Sequence, residues 1–64
     1  MLIIKMKNGL ELKYKGRIEI YTDDEFPNML CIDAQHSLSY FGHSWHSNTW
    51  DKVWLDDIEL IRSK

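Results

Sequence analysis

The sequence is poor in the residues that staple, break or anchor a small protein. Of its 64 residues one is cysteine (Cys31), one is proline (Pro27) and three are glycine. A single thiol excludes an intrachain disulfide and, with no secretory leader in view, points to a reducing, cytoplasmic setting. No apolar run approaches the ~20 residues of a membrane span. The apolar opening Met1–Ile4 is interrupted at once by Lys5 and Lys7. A chain this short makes one domain, residues 1–64, and buries only about 60% of its unfolded surface. Its core is therefore thin, and domains in this position lean on metals, oligomerisation or dense aromatic packing when disulfides are absent.

Charge is present but unevenly placed. Residues 1–22 carry Lys5, Lys7, Lys13, Lys15 and Arg17 against Glu11 and Glu19, a balance of +3. Residues 23–64 carry eight carboxylates against Lys52, Arg62 and Lys64, a balance of −5, and the whole chain is at −2. A basic stripe is one footprint of nucleic-acid binding, but an alternating hairpin with a lysine-rich solvent face produces the same count.

What is abundant is alternation. Leu2, Ile4 and Met6 alternate with Ile3, Lys5 and Lys7, and Leu10, Leu12 and Tyr14 alternate with Glu11, Lys13 and Lys15, the period of half-buried strands. Lys7-Asn8-Gly9 lies between them as a turn signal. A two-residue loop would set charges beside apolar groups. A three-residue loop pairs Met6 with Leu10, Ile4 with Leu12 and Leu2 with Tyr14, and sets Lys5 opposite Glu11, so the pattern selects it. That loop requires Gly9 in the left-handed conformation. The even parity continues through Gly16, Ile18 and Ile20, which predicts one long strand bent at Gly16.

Thr22 to Asn28 (TDDEFPN) is expected as a solvated acidic loop ended by Pro27. Asp23-Asp24-Glu25 lacks the glycine and spacing of a calcium loop. Met29 to Ala34 is expected as a third strand with Leu30, Ile32 and Ala34 inward, followed by a turn at Gln35-His36-Ser37 and a fourth strand at Leu38–Phe41. The segment 50–62 fits two descriptions. Trp50, Val53, Trp54, Asp57, Ile58 and Ile61 follow helical spacing with Thr49 as a cap, which would give an α+β fold with a C-terminal helix. Off-stripe Leu55 and Leu60, and the weak helix propensity of valine, isoleucine and tryptophan, favour strand Lys52–Leu55, a tight turn at Asp56-Asp57 and strand Ile58–Arg62.

Residues 53–61, VWLDDIELI, resemble the closing segment of small SH3-like barrels: a strand, a one-turn helical corner and a last short strand. The opening IIKMKNGLELKYKGRI is similar to the N-terminal hairpin and bent second strand of such barrels. The resemblance implies an all-β fold of five to six short strands, a small SH3-like barrel or a strongly curled antiparallel sheet. It also implies a binding role toward peptides, nucleic acid or proteins, as in short phage and mobile-element proteins. It carries no catalytic residues.

Candidate chemistry concentrates in Tyr40–Trp54, which holds all three tryptophans and two of the three histidines. A zinc site needs four converging ligands, and only His43 and His46 are closely spaced, with Cys31 and His36 remote, so no metal and no other cofactor is expected. Ser44 and Ser47 beside His46 lack an orienting acid and an oxyanion site, so the chain reads as no enzyme. Strand parity together with the SH3-like closing motif assigns Tyr40, Val53 and Trp54 to the core, and at least one of Trp50 and Trp54 is expected to fill it. The polar loop His43–Thr49, with Trp45 at its centre, remains as surface. The expected function is a protein-binding module anchored by Trp45, His43, His46, Trp50 and Phe41 and oriented by Asp23, Asp24 and Glu25. It would act as a phage-type inhibitor or accessory protein on a protein partner. The alternatives are nucleic-acid binding through Lys5, Lys7, Lys13, Lys15 and Arg17, and a homodimer joined through an open edge strand.

Overall fold

A computed structural model describes residues 1–38 and 44–64. The hairpin forms in the expected register. β1 (Leu2–Met6) pairs antiparallel with β2 (Glu11–Thr22), with Leu2 opposite Tyr14, Ile4 opposite Leu12 and Lys5 opposite Glu11. Met6 N–H donates to Leu10 O at 2.8 Å and Gly9 N–H to Met6 O at 3.0 Å, with Gly9 at φ +93°. One residue departs from the simple wet-face reading. Ile3 faces outward between Lys13 and Arg62 on the flanking strands, yet is 3% exposed.

β2 is one bent strand. Between Lys15 and Ile18 its ladder with β3 (Met29–Leu38) gains a residue, so Gly16 and Arg17 together oppose Gln35. Gly16 has φ +81°, and Arg17 N–H donates to Gln35 Oε1 at 3.2 Å. A glycine in this conformation at the head of a bulge bends the strand and sharpens its twist. On the other side of Gln35, Asn48 also has positive φ, at 54°. The row Gly16–Gln35–Asn48 is thus a corner crossing three strands. Its effect is visible in β3, where Ala34 and Ser37 are both buried although three positions apart, so the face turned to the core changes at the corner. The extra residue in β2 compensates, and Tyr14 opposes Ser37 while Ile18 opposes Ala34.

This corner corrects the expectation of a turn at Gln35-His36-Ser37. Those residues run straight through β3, because His36 and Ser37 are paired on both sides, to Lys15 and Tyr14 of β2 and to Ser47 and His46 of β4. What looks like a chain reversal in the hydrophobic pattern is a parity change within a continuous strand. The expected fourth strand Leu38–Phe41 is corrected with it: Leu38 closes β3, and the remainder lies outside the described residues. The fourth strand is instead β4 (His46–Trp54). His46–Thr49, expected within a polar loop, form its first half. A strand with one free edge and one wet face tolerates such polar composition.

Residues 50–62 take the strand–turn–strand form. A 3₁₀ turn at Leu55–Asp57 joins β4 to β5 (Ile58–Ser63), and there is no α-helix among the described residues. The corner is hooked down by Leu55 N–H on Asn28 O at 2.7 Å and Lys7 N–H on Asp57 O at 2.8 Å. The result is an all-β, five-stranded antiparallel sheet in the order β4-β3-β2-β1-β5, curled around its core and not closed. The core comprises Ile4, Met6, Tyr14, Leu30, Ile32 and Ala34, with Leu12, Ile18, Val53 and Ile58 packed against it. No helix among the described residues is long and apolar enough to cross a membrane.

Candidate protein-interaction site

In β4 the odd-numbered residues Thr49, Asp51 and Val53 are half-buried while Trp50, Lys52 and Trp54 are exposed. This alternation sends both tryptophans outward. The expectation that one of them fills the core, and the assignment of Trp54 to it, are corrected: Trp50 is 54% and Trp54 47% exposed. Their partners on β3 are Asp33 and Met29, with Cys31 opposite Lys52 between them. On the other side of β3, Glu19 opposes Asp33 and Tyr21 opposes Cys31. Three strands therefore build one outward face, with a tyrosine, two tryptophans and a lysine around a cysteine.

That face is braced. Trp50 Nε1–H donates to the Tyr21 hydroxyl at 2.9 Å, and the Lys52 ammonium stands 4.9 Å from the centre of the Trp50 ring. Lys52 also donates to Asp23 Oδ2 at 3.0 Å. The other oxygen of Asp23 accepts the backbone N–H groups of Glu25 and Phe26 at 2.8 and 3.3 Å. One carboxylate thus closes the acidic loop into an Asx turn and ties it to the aromatic face. The Lys52 hydrogen bond, then the Glu25 N–H, hold the Asp23 carboxyl below its ordinary range, and the same Asp23 bond raises Lys52. Beneath the braces Cys31 is only 1% exposed, although it occupies an outward position. Burial on this face gives the cysteine a packing role and fixes the strand below the aromatics.

Tyr21, Trp50 and Trp54 nevertheless remain roughly half exposed. Fully covered aromatics each bury 150–250 Å², so three left half-covered offer on the order of 300 Å² of apolar surface. The exposed Lys52 lies between the two tryptophans, so the apolar surface is divided by a charge. Glu19 and Asp33 sit beside Trp50, and Asp24, Glu25 and the half-exposed Phe26 follow on the loop, so the rim is acidic.

The other expected site residues are scattered. Trp45 is half-buried, with the ammonium of the exposed Lys15 4.2 Å above its ring centre, so part of its ring is already covered from within the chain. His46 is exposed at the start of β4, opposite Ser37. Phe41 and His43, and Tyr40 with them, lie outside the described residues. Among the basic residues, Lys5 is bridged to Glu59 at 3.6 Å and Lys7 is exposed in the hairpin turn. Lys13 flanks Ile3, and Arg17 shares a cleft with Glu19 and Asp33. They do not form one uniform patch. Among the described residues no three His, Cys, Asp or Glu side chains gather into a metal-sized group.

Sequence reasoning missed Tyr21, Lys52, Trp54, Glu19 and Asp33 as members of one surface. The signal for Tyr21 was available: with even positions of β2 inward, an odd-numbered aromatic must face out. Compared with models of protein families, with curated proteins and with solved structures, the chain matches none of them.

Proposed function

We propose that this chain is a small non-enzymatic, cytoplasmic binding module that docks on a protein partner through the outer face of β2, β3 and β4. The observation that carries the reading is the exposed Tyr21–Trp50 pair, held by a hydrogen bond and by Lys52, with the exposed Trp54 on the same face. Rigid aromatics that stay half exposed lose little conformational freedom on binding and suit the anchor role. The acidic rim favours a partner with a cationic surface and speeds its approach. A standard interface takes about 800 Å² from each partner, under a fifth of the 4492 Å² this domain exposes. A module of this size acts by covering a partner's surface, as an SH3-like inhibitor or accessory protein of a phage or mobile element would.

Affinity capture from cell lysate with wild type and Trp50→Ala tests the reading. The expected result is a partner held by wild type and lost by the variant, with circular dichroism unchanged. A partner retained equally by both contradicts it. Nucleic-acid binding through the hairpin cations remains the alternative class; it requires an affinity that falls steeply with salt in a mobility-shift assay. A homodimer is a third reading, favoured by the outer edges of the end strands β4 and β5, and sedimentation tests it.

A further inference from the structure

The inward side of β4 carries a second chemistry, remote in kind from the aromatic face. Thr49 and Asp51 precede Val53 on that side, opposite Ala34 and Ile32. Apolar residues would satisfy such positions, whereas a hydroxyl and a carboxylate need partners there. Tyr14, 1% exposed, donates its hydroxyl to Asp51 Oδ2 at 2.8 Å. No salt bridge among the described residues reaches Asp51. Thr49 Oγ1 is buried with no hydrogen-bond partner among the described residues. Both line a cleft of about 250 Å³, together with Tyr14, the buried Ser37, the exposed His46 and the half-buried Leu12.

We propose that this cleft binds a primary ammonium group, carried on a partner's lysine side chain or on a free small amine. The wall chemistry selects the class. The Tyr14 proton is committed to Asp51, which leaves lone pairs on Asp51, Thr49 and Ser37 and one negative charge. An ammonium brings three donors, no acceptor and the opposite charge. A guanidinium fits less well, because its two-pronged hold on a carboxylate needs both oxygens and Tyr14 occupies one. The volume is below the 300–1,000 Å³ of pockets for drug-sized ligands, so it suits one terminal group, with Leu12 beside an aliphatic stem.

The test is an amide chemical-shift titration of the ¹⁵N-labelled chain with n-butylammonium. Saturable shifts confined to Tyr14, Ser37, Thr49, Asp51 and their neighbours are expected. Asp51→Asn keeps an acceptor for Tyr14 but should bind about tenfold more weakly or worse, the loss expected for a charge-assisted hydrogen bond. Thr49→Val, which fills the same space, should weaken binding without unfolding the domain. Tetramethylammonium, equally charged but without N–H donors, should not bind. A lysine-containing peptide that binds more tightly than butylammonium assigns the site to a partner's side chain; equal affinity assigns it to a free amine. No saturable shift in the tens of millimolar, or undiminished binding by both variants or by tetramethylammonium, overturns the proposal. The site stands apart from the aromatic face, so Trp50→Ala should leave the amine titration unchanged.

Discussion

Tyr14→Phe isolates a strong, part-buried polar interaction inside the sheet. The ring packing of Tyr14 is kept, and only the hydroxyl that donates to Asp51 at 2.8 Å is removed. A hydrogen bond to a charged group contributes about 1.5–3 kcal/mol. Asp51 is half-buried, so water replaces part of the loss and the lower end applies, about 1.5 kcal/mol. A 64-residue domain has a total stability of only about 3–10 kcal/mol. The same loss lowers Tm by about 6–12 °C at this size. Asp51→Asn keeps a neutral acceptor and should cost about half as much, and the double variant should fall short of additivity by about 0.7 kcal/mol, the whole cost of Asp51→Asn. Thermal and urea unfolding followed by circular dichroism give these values. The alkaline limb is a second readout. Burial first, then the hydrogen bond and charge of Asp51, push the Tyr14 hydroxyl far above its ordinary 10.0. Its contribution is complete below pH 10 and declines above it, because the unfolded chain ionises there while the folded one does not. The slope is about 1.4 kcal/mol per pH unit. Tyr14→Phe should lose that slope. A variant within about 0.5 kcal/mol of wild type, with the same alkaline profile, would refute the reasoning.

Other expectations follow from the same geometry. Gly16→Ala places a Cβ 2.5 Å from Gln35 Oε1 and 2.9 Å from Gln35 Cβ in a left-handed conformation, and should cost at least 1–2 kcal/mol by urea unfolding. The Asp23 brace is complete above the ordinary carboxylate value of 3.8 and fades as pH falls through the lower folded value. Trp50 fluorescence should therefore change below pH 4 in wild type, whereas Asp23→Asn shows the low-pH signal at neutral pH. Cys31 should react with a thiol reagent only at the rate of unfolding, since it is 1% exposed; fast labelling of the native chain would contradict its placement.

Much of the fold was legible because alternation and turn chemistry act locally. The hairpin register followed from which side chains each loop length would set face to face, and the bend at Gly16 from unbroken even parity in β2. The closing strand–turn–strand followed from residues that spoil a helical stripe. The misplaced turn at 35–37 has one cause, the corner at Gly16–Gln35–Asn48. A parity change inside β3 mimics a turn, and only the extra residue on the neighbouring strand reveals it. That error then displaced β4, so His46–Thr49 read as a loop; Trp54 reads as core through the resemblance of the closing segment. Trp45 stood out in a polar run, but Lys15, thirty residues earlier, stacks on it. The outward aromatic face is assembled by pairing across three strands, which no local pattern contains.

The central claim is that partner contact occurs on the outer face of β2–β3–β4. It is tested most directly by titrating the captured partner into the ¹⁵N-labelled chain and mapping the perturbed amides and indole N–H signals. Perturbation centred on Tyr21, Asp23, Cys31, Trp50, Lys52 and Trp54 is the expected result. Perturbation centred on Lys5, Lys13 and Lys15, with the Trp50 and Trp54 indoles unmoved, would contradict it.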